Sequence, residues 1–318
     1  MSSGAGPVAL AVPERATIYF VGVTTRGSSI MNLFPRWSEA LGLGAEIRGY
    51  DVTIGAPAGA YTRIVDHIAS HEHALGALVT THKIDLYRAT EARFDVLDRY
   101  ARLCREISCI SKRDGRLVGH AKDPITSGLA LAAFLPEKHF VDSAAEVLSL
   151  GAGGAAVAIS VHLANRPESH RPTRMTFVDR DEARLAHLRS LHDELAAGID
   201  LAFVVNDDPR RNDRLMDALP DGSLVLNATG MGKDLPGSPV SDEGRFPRGG
   251  YVWELNYRGE LAFLEQARRQ RAERGLHVED GWVYFLHGWT QVIAEVFDRP
   301  IDAATFDRLA AIAAETTG

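Results

Sequence analysis

The stretch Val147-Leu148-Ser149-Leu150-Gly151-Ala152-Gly153-Gly154-Ala155-Ala156 constrains this chain more than any other. The short apolar run reads as a buried strand, and the glycines then open an apolar helix over residues 155–164. Gly151 permits a tight turn, Gly153 lets a phosphate approach the backbone, and the small Ala156 lets the helix pack close to the strand. The helix start then offers unpaired N–H groups and a positive dipole end to a pyrophosphate. A second strand, residues 175–178, ends in Asp179, whose carboxylate can accept from a ribose 2′-hydroxyl. Its distance from the first glycine exceeds the usual roughly 20 residues, and the polar, proline-containing stretch 165–173 accounts for the excess.

A chain of 318 residues, 45% of them hydrophobic, can bury two cores. Its formal charge of −7 and the absence of any Lys/Arg-rich run argue against a nucleic-acid surface. Cys104 and Cys109 are the only cysteines, which points to a reducing, cytoplasmic setting without a disulfide framework. Residues 1–16 read as a loose tail rather than a signal peptide, and no apolar run reaches membrane-spanning length. Among 35 basic residues only five are lysine (Lys83, Lys112, Lys122, Lys138 and Lys233). Arginine stays protonated in proteins, so each lysine is a better candidate for chemistry that moves a proton.

Strand-like and helix-like patterns alternate along the chain, which predicts an α/β fold. Strands are expected over residues 18–23, 45–54 and 76–81, with helices over 29–41 (kinked or broken at Pro35) and 58–70. A long helix is expected over 84–103, then a hairpin of 107–111 and 117–120 around Asp114-Gly115, then a helix over 125–134. Five short strands follow at 147–150, 175–178, 201–205, 223–227 and 251–255, separated by helices, as in a parallel sheet covered on both faces. The last segment, 281–296, reads as an aromatic-rich helix.

Taken in order, several motifs resemble the shikimate/quinate dehydrogenase family. Gly22-Val23-Thr24-Thr25-Arg26-Gly27-Ser28 resembles its opening Gly-x-Pro-x-x-His-Ser. Residues 76–83, ending Thr80-Thr81-His82-Lys83, resemble Gly-x-Asn-Val-Thr-x-Pro-His-Lys with one residue fewer. Gly119-His120-Ala121-Lys122-Asp123 stands for Gly-x-Asn-Thr-Asp, and residues 151–155 match Gly-Ala-Gly-Gly-Ala without a change. Asn227-Ala228-Thr229-Gly230-Met231-Gly232 resembles Asn-Ala-Thr-Ser-x-Gly. Tyr257 follows a strand as the family tyrosine does, and Asp280-Gly281 opens the final helix.

The resemblance implies two α/β domains with a cleft between them. One is a substrate domain of residues 1–125 joined by 278–318. The other is a Rossmann-type, doubly wound parallel sheet of residues 126–277. It implies reversible hydride transfer between a nicotinamide cofactor and the secondary alcohol or ketone of a small hydroxy acid or cyclitol, in a monomer or homodimer. Lys83 becomes the acid–base group and Asp123 its partner; an ammonium stabilises the alkoxide character that grows as hydride leaves carbon. Ser28, Thr80, Ser108, Tyr257 and Trp289 fall at or beside substrate positions. Gly151, Ala152, Gly153, Gly154, Ala155, Asp179, Arg180, Asn227, Ala228, Thr229, Gly230, Met231, Leu255 and Gly281 fall at cofactor positions, and no metal is implied. NADP-using members end the second nucleotide strand in Asn-Arg-Thr or Asn-Arg-Ser; Asp179-Arg180-Asp181 here favours NAD over NADP, with Arg180 pulling the other way.

The departures carry information too. Family serine, asparagine and glutamine positions fall on Ile30, on Ile107 or Ser108, and on Gly288, while Leu78 and Ala121 replace two further asparagines. A site stripped of several hydrogen-bonding partners is expected to abandon the parent substrate while keeping the reaction. Arg26 and His287 are candidate carboxylate ligands, and His82 could reach the substrate. His67, His71 and His73 match no zinc spacing. Two other functions fit parts of the pattern: a non-catalytic NAD(P)-sensing protein, which would not need both Lys83 and Asp123, and a methylenetetrahydrofolate dehydrogenase-type enzyme, which fits the motif order less well.

Overall fold

Residues 10–141, 143–233 and 235–317 are described by a computed structural model, and they form two units: 10–122 with 289–317, and 123–288. The first nine residues of the expected N-terminal tail lie outside the described residues. Among the described residues no helix is long and apolar enough to cross a membrane.

The first unit runs β1 (Thr17–Gly22), α1 (Ser29–Leu41), β2 (Glu46–Asp51), α2 (Ala58–Ser70), β3 (Ala74–Val79), α3 (Lys83–Thr90), β4 (Val96–Leu97), α4 (Arg99–Cys104), β5 (Cys109–Arg113) and β6 (Arg116–His120). Its sheet has the order β2-β1-β3-β5-β6-β4, with β5 antiparallel to both neighbours. β1 is buried along its whole length, so its residues need no polar alternation. The β5–β6 hairpin turns on Asp114 and Gly115, both at positive φ (51° and 75°), as a two-residue turn of this type requires.

Two local expectations, a break at Pro35 and one long helix over 84–103, are overturned. Pro35 neither breaks nor ends α1, which runs from Ser29 to Leu41 with Phe34 and Trp37 buried beside the proline. Packing of that apolar face, with the Trp37 Nε1–H donating to the Leu309 carbonyl at 2.9 Å, holds the turn. The long helix over 84–103 is instead two helices around a short strand. α3 stops at Thr90, whose hydroxyl donates to the Leu86 carbonyl at 2.6 Å. Asp95 accepts from the Leu117 N–H at 2.7 Å, and Asp98 caps α4 by accepting from the Ala101 N–H at 2.6 Å. Those two aspartates divert the chain into pairing with β6, against the helical periodicity.

The second unit runs α5 (Asp123–Ala132), β7 (Val147–Leu150), α6 (Gly154–Ala164), β8 (Arg174–Asp179), α7 (Glu182–Leu195), β9 (Asp200–Val205), α8 (Pro209–Asp217), β10 (Leu224–Asn227), β11 (Tyr251–Glu254), α9 (Ala262–Arg274) and β12 (His277–Glu279). Its sheet is parallel throughout, in the order β12-β11-β10-β7-β8-β9. β12, a sixth strand, is absent from the sequence reading because three residues carry no periodicity. The strand order reverses between β7 and β10, and ligands of such sheets bind beyond the strand ends at that point. α10 (Trp282–Val296) leads back to the first unit, where α11 (Ala303–Thr317), a helix the motif reading did not resolve, packs against α1.

Candidate active site

The glycine turn follows β7 at the switch point. Gly151 has φ +107°, and a Cβ there would lie 2.5 Å from the carbonyl carbon and oxygen of Ala228, so no other residue fits. Nothing stands within 4 Å of where a Gly153 Cβ would be. Gly153 caps α6 with no side chain, which leaves the first-turn N–H groups facing open space suited to a phosphate. The Ala152 N–H donates to Asp179 Oδ2 at 2.8 Å and the Asp181 N–H to Oδ1 at 3.0 Å, so the buried Asp179 ties the glycine turn to the end of β8. The Arg184 guanidinium lies 3.7 Å from both the Asp179 and Asp181 carboxylates.

A cavity of about 260 Å³ opens beside the turn, and Gly151, Asp179, Arg180, Arg184, Asn206, Thr229 and Met231 are among its lining residues. This brings together cofactor candidates from three loops. On its far side the loop after β10 is held by a buried polar cluster. The Thr229 hydroxyl donates to Asn227 Oδ1 at 2.7 Å, Asn227 Nδ2 donates to Glu254 at 2.6 Å, and Asn256 donates to Glu254 through its backbone (2.8 Å) and side chain (2.6 Å). Burial pushes the Glu254 carboxyl up to about 7 against those three donors. A Cβ at Gly281 would lie 2.1 Å from the Leu255 carbonyl, and Tyr257 packs on Trp282 and Phe285.

In the first unit Lys83 opens α3, and its own carbonyl accepts from the Ile107 N–H at 3.1 Å. Burial pulls its amine below the usual lysine range, opposed by the Glu106 carboxylate. Asp123 opens α5 in the second unit, buried, with Pro124 after it. The Ser28 hydroxyl makes no cap bond to α1, and Thr80 is half-buried after β3 with its N–H donating to the Val21 carbonyl at 3.0 Å. Ser108 is buried and its hydroxyl accepts from the Lys122 N–H at 2.8 Å, which fixes the chain one residue before Asp123. Trp289 is buried edge-on against Phe20, in the position of a core residue. His82 is buried, with Nδ1 bonded to the Tyr61 hydroxyl (3.1 Å) and Nε2 without a hydrogen-bond partner. His67 bonds the Tyr19 hydroxyl at 2.8 Å, a packing role rather than a ligating one.

Sequence reasoning missed Glu106, Arg184, Asn206, Glu254 and Asn256. A charged residue closing an apolar strand marks Glu254, and a carboxylate leading straight into the apolar-rich run from Ile107 marks Glu106. Arg184 lies in the first turn of α7, just after Arg180 and the Asp181 cap.

No family model matches the chain. It is 29% identical over 244 residues to the shikimate dehydrogenase (NADP(+)) of Symbiobacterium thermophilum, covering 75% of this chain and 78% of that one. Its fold is that of the 5-ketofructose reductase of Gluconobacter sp. strain CHM43 (TM-score 0.71, 20% identity, 93% of this chain and 98% of that one). The quinate dehydrogenase of Corynebacterium glutamicum, solved in complex with NAD, shares it equally (TM-score 0.71, 18% identity, 93% and 99%).

Proposed function

We propose that this chain is a divergent member of the shikimate/quinate dehydrogenase family and an NAD(P)-dependent dehydrogenase. Its substrate is the secondary alcohol or ketone of a small cyclic hydroxy acid or cyclitol-like molecule, with Lys83 and Asp123 as the acid–base pair. The observation that carries the reading is Lys83: one of five lysines in the chain, set in surroundings that lower its proton affinity. A lysine amine can take a hydroxyl proton and return it, which an arginine could not. A bound nicotinamide would supply the hydride acceptor or donor. The chain's part is to seat its pyrophosphate on the Gly151–Gly154 turn, its adenosine end beside Asp179 and Arg180, and to hold or move the proton at Lys83 Nζ.

NAD is the preferred cofactor on this reading. Asp179 and Asp181 bring two carboxylates to the end of β8, and both disfavour a 2′-phosphate, while Arg180 and Arg184 offset part of that charge. By the family resemblance the substrate-binding positions fall on Ile30, Leu78, Ala121 and Gly288, none of which carries a polar side chain, and Ile30 and Ala121 are fully buried. Shikimate is therefore a poor substrate.

An absorbance screen with NADH and NADPH against cyclic hydroxy acids, amino-cyclitols and simple polyols, and their ketones, tests the reading. Turnover on one of these, cut about 100-fold or more in Lys83→Ala with cofactor affinity unchanged, is the expected result. Normal turnover in Lys83→Ala would overturn the assignment of the proton transfer. Cofactor binding with no turnover across the screen would favour a sensor.

A further inference from the structure

Glu106 precedes β5 and adjoins Ile107, whose N–H bonds the Lys83 carbonyl. It is 0% exposed, and neither carboxylate oxygen has a hydrogen-bond partner. A carboxylate removed from water with no donor is far too costly to survive alone, so such a group is either protonated or answered by a cation. The cation whose field acts on Glu106 is Lys83. The third titratable group in this cluster, Cys104 at the end of α4, is buried and its thiol is pushed well up, so it stays neutral. Of the neighbours on the flanking elements, Asp98 is engaged by the α4 N-terminus and His120, His82 by the Tyr61 hydroxyl, and Asp85 is exposed.

We propose that Glu106 is a positioning residue for Lys83, the buried carboxyl whose charge decides whether the lysine carries its proton. The proposal rests on the reading of Lys83 as the acid–base group and deepens it by naming what tunes that group. Burial drives both partners toward neutrality, the lysine down and the carboxyl up. The ammonium–carboxylate and amine–carboxylic acid forms have the same net charge, so a proton can pass between them without leaving a lone charge in the protein interior. With Asp123 as the partner implied by the family, Glu106 supplies a second, solvent-free one. Arg105 beside it is exposed, while Ile107 on its other side is fully buried.

The test follows the lysine directly and needs no substrate. Full-length protein labelled with carbon-13 at lysine Cε gives signals from five lysines, and Lys83→Met identifies that of Lys83. In Glu106→Gln the Lys83 titration midpoint is expected to fall by about one pH unit or more, with the other signals unmoved, and Glu106→Asp is expected to restore most of the shift. An unchanged midpoint in Glu106→Gln would overturn the proposal. Should Glu106→Gln fold poorly, a stability cycle at pH 8 decides. Lys83→Met strands the carboxyl, so adding Glu106→Gln to it is expected to recover stability, with non-additivity of about tenfold in the unfolding constant. Strict additivity would refute the coupling. Coupling together with full turnover in Lys83→Ala would leave the pair standing and remove its catalytic meaning.

Discussion

Gly151 and Gly153 sit two residues apart and do different work. A side chain at Gly151 meets the Ala228 carbonyl at 2.5 Å from a backbone already at φ +107°, whereas one at Gly153 meets nothing in the protein. Gly151→Ala is therefore expected to lose about 1–3 kcal/mol of stability and to bind cofactor poorly. Gly153→Ala is expected to unfold at the wild-type midpoint while NADH affinity, read by fluorescence, falls about tenfold or more. A stable Gly151→Ala protein would show that the turn can relax, and tight NADH binding by Gly153→Ala would show that the phosphate does not rest there. Both glycines were legible in the sequence because backbone geometry at such a turn admits few residues. Lys83 stood out as a candidate for a different reason, the scarcity of lysine. Glu106 was not: its meaning depends on complete burial and on missing partners, and neither property leaves a trace in residue spacing.

At the scale of elements, strands buried on both faces and amphipathic helices such as α1 and α2 were readable, and short strands set by aspartate turn chemistry were not. β7 falls at 147–150 as expected because four apolar residues meet a glycine turn. β4 was hidden inside an apparent helix because its pairing depends on Asp95 and on β6, which lies some twenty residues on. α7 shows what an element boundary decides. Asp181 caps it by accepting from the Ala183 N–H at 2.9 Å, and the same carboxylate lies 3.7 Å from Arg184. Asp181→Thr keeps a capping oxygen, removes a negative charge and releases Arg184 from that partner. Removing one exposed charge near a phosphate is worth about 1 kcal/mol, so the NADPH-to-NADH affinity ratio is expected to rise roughly fivefold. An unmoved ratio, measured by titrating both cofactors, would place the discrimination on Asp179 or Arg180 instead.

For the molecule as a whole, the second unit is expected to be the acid-sensitive one. His162 and His192 are both held by burial at about 4 rather than 6.5. The His162 ring lies against Gly128 of α5, where a Cβ would be 2.2 Å from Cε1, and it bonds the Pro124 carbonyl at the start of that helix. His192 packs near Phe177, and its Nε2 has no hydrogen-bond partner. The sign follows from linkage. Below pH 6.5 the unfolded chain binds protons that these folded imidazoles refuse, so stability is intact above about 6.5 and drains away as pH falls toward 4. At pH 5 each histidine then costs about 2 kcal/mol, a large share of the 5–15 kcal/mol typical of a folded domain. Denaturant midpoints measured from pH 8 to 5 are expected to hold until about 6.5 and then drop. His192→Leu, which removes one titrating group but keeps an apolar side chain on Phe177, is expected to flatten that drop by about a third, because His287 of the same unit is held at about 4 as well. A wild-type midpoint that stays level to pH 5 would mean that these rings accept protons in place, and that the helices around them, α5, α6 and α7, yield enough to let water reach them.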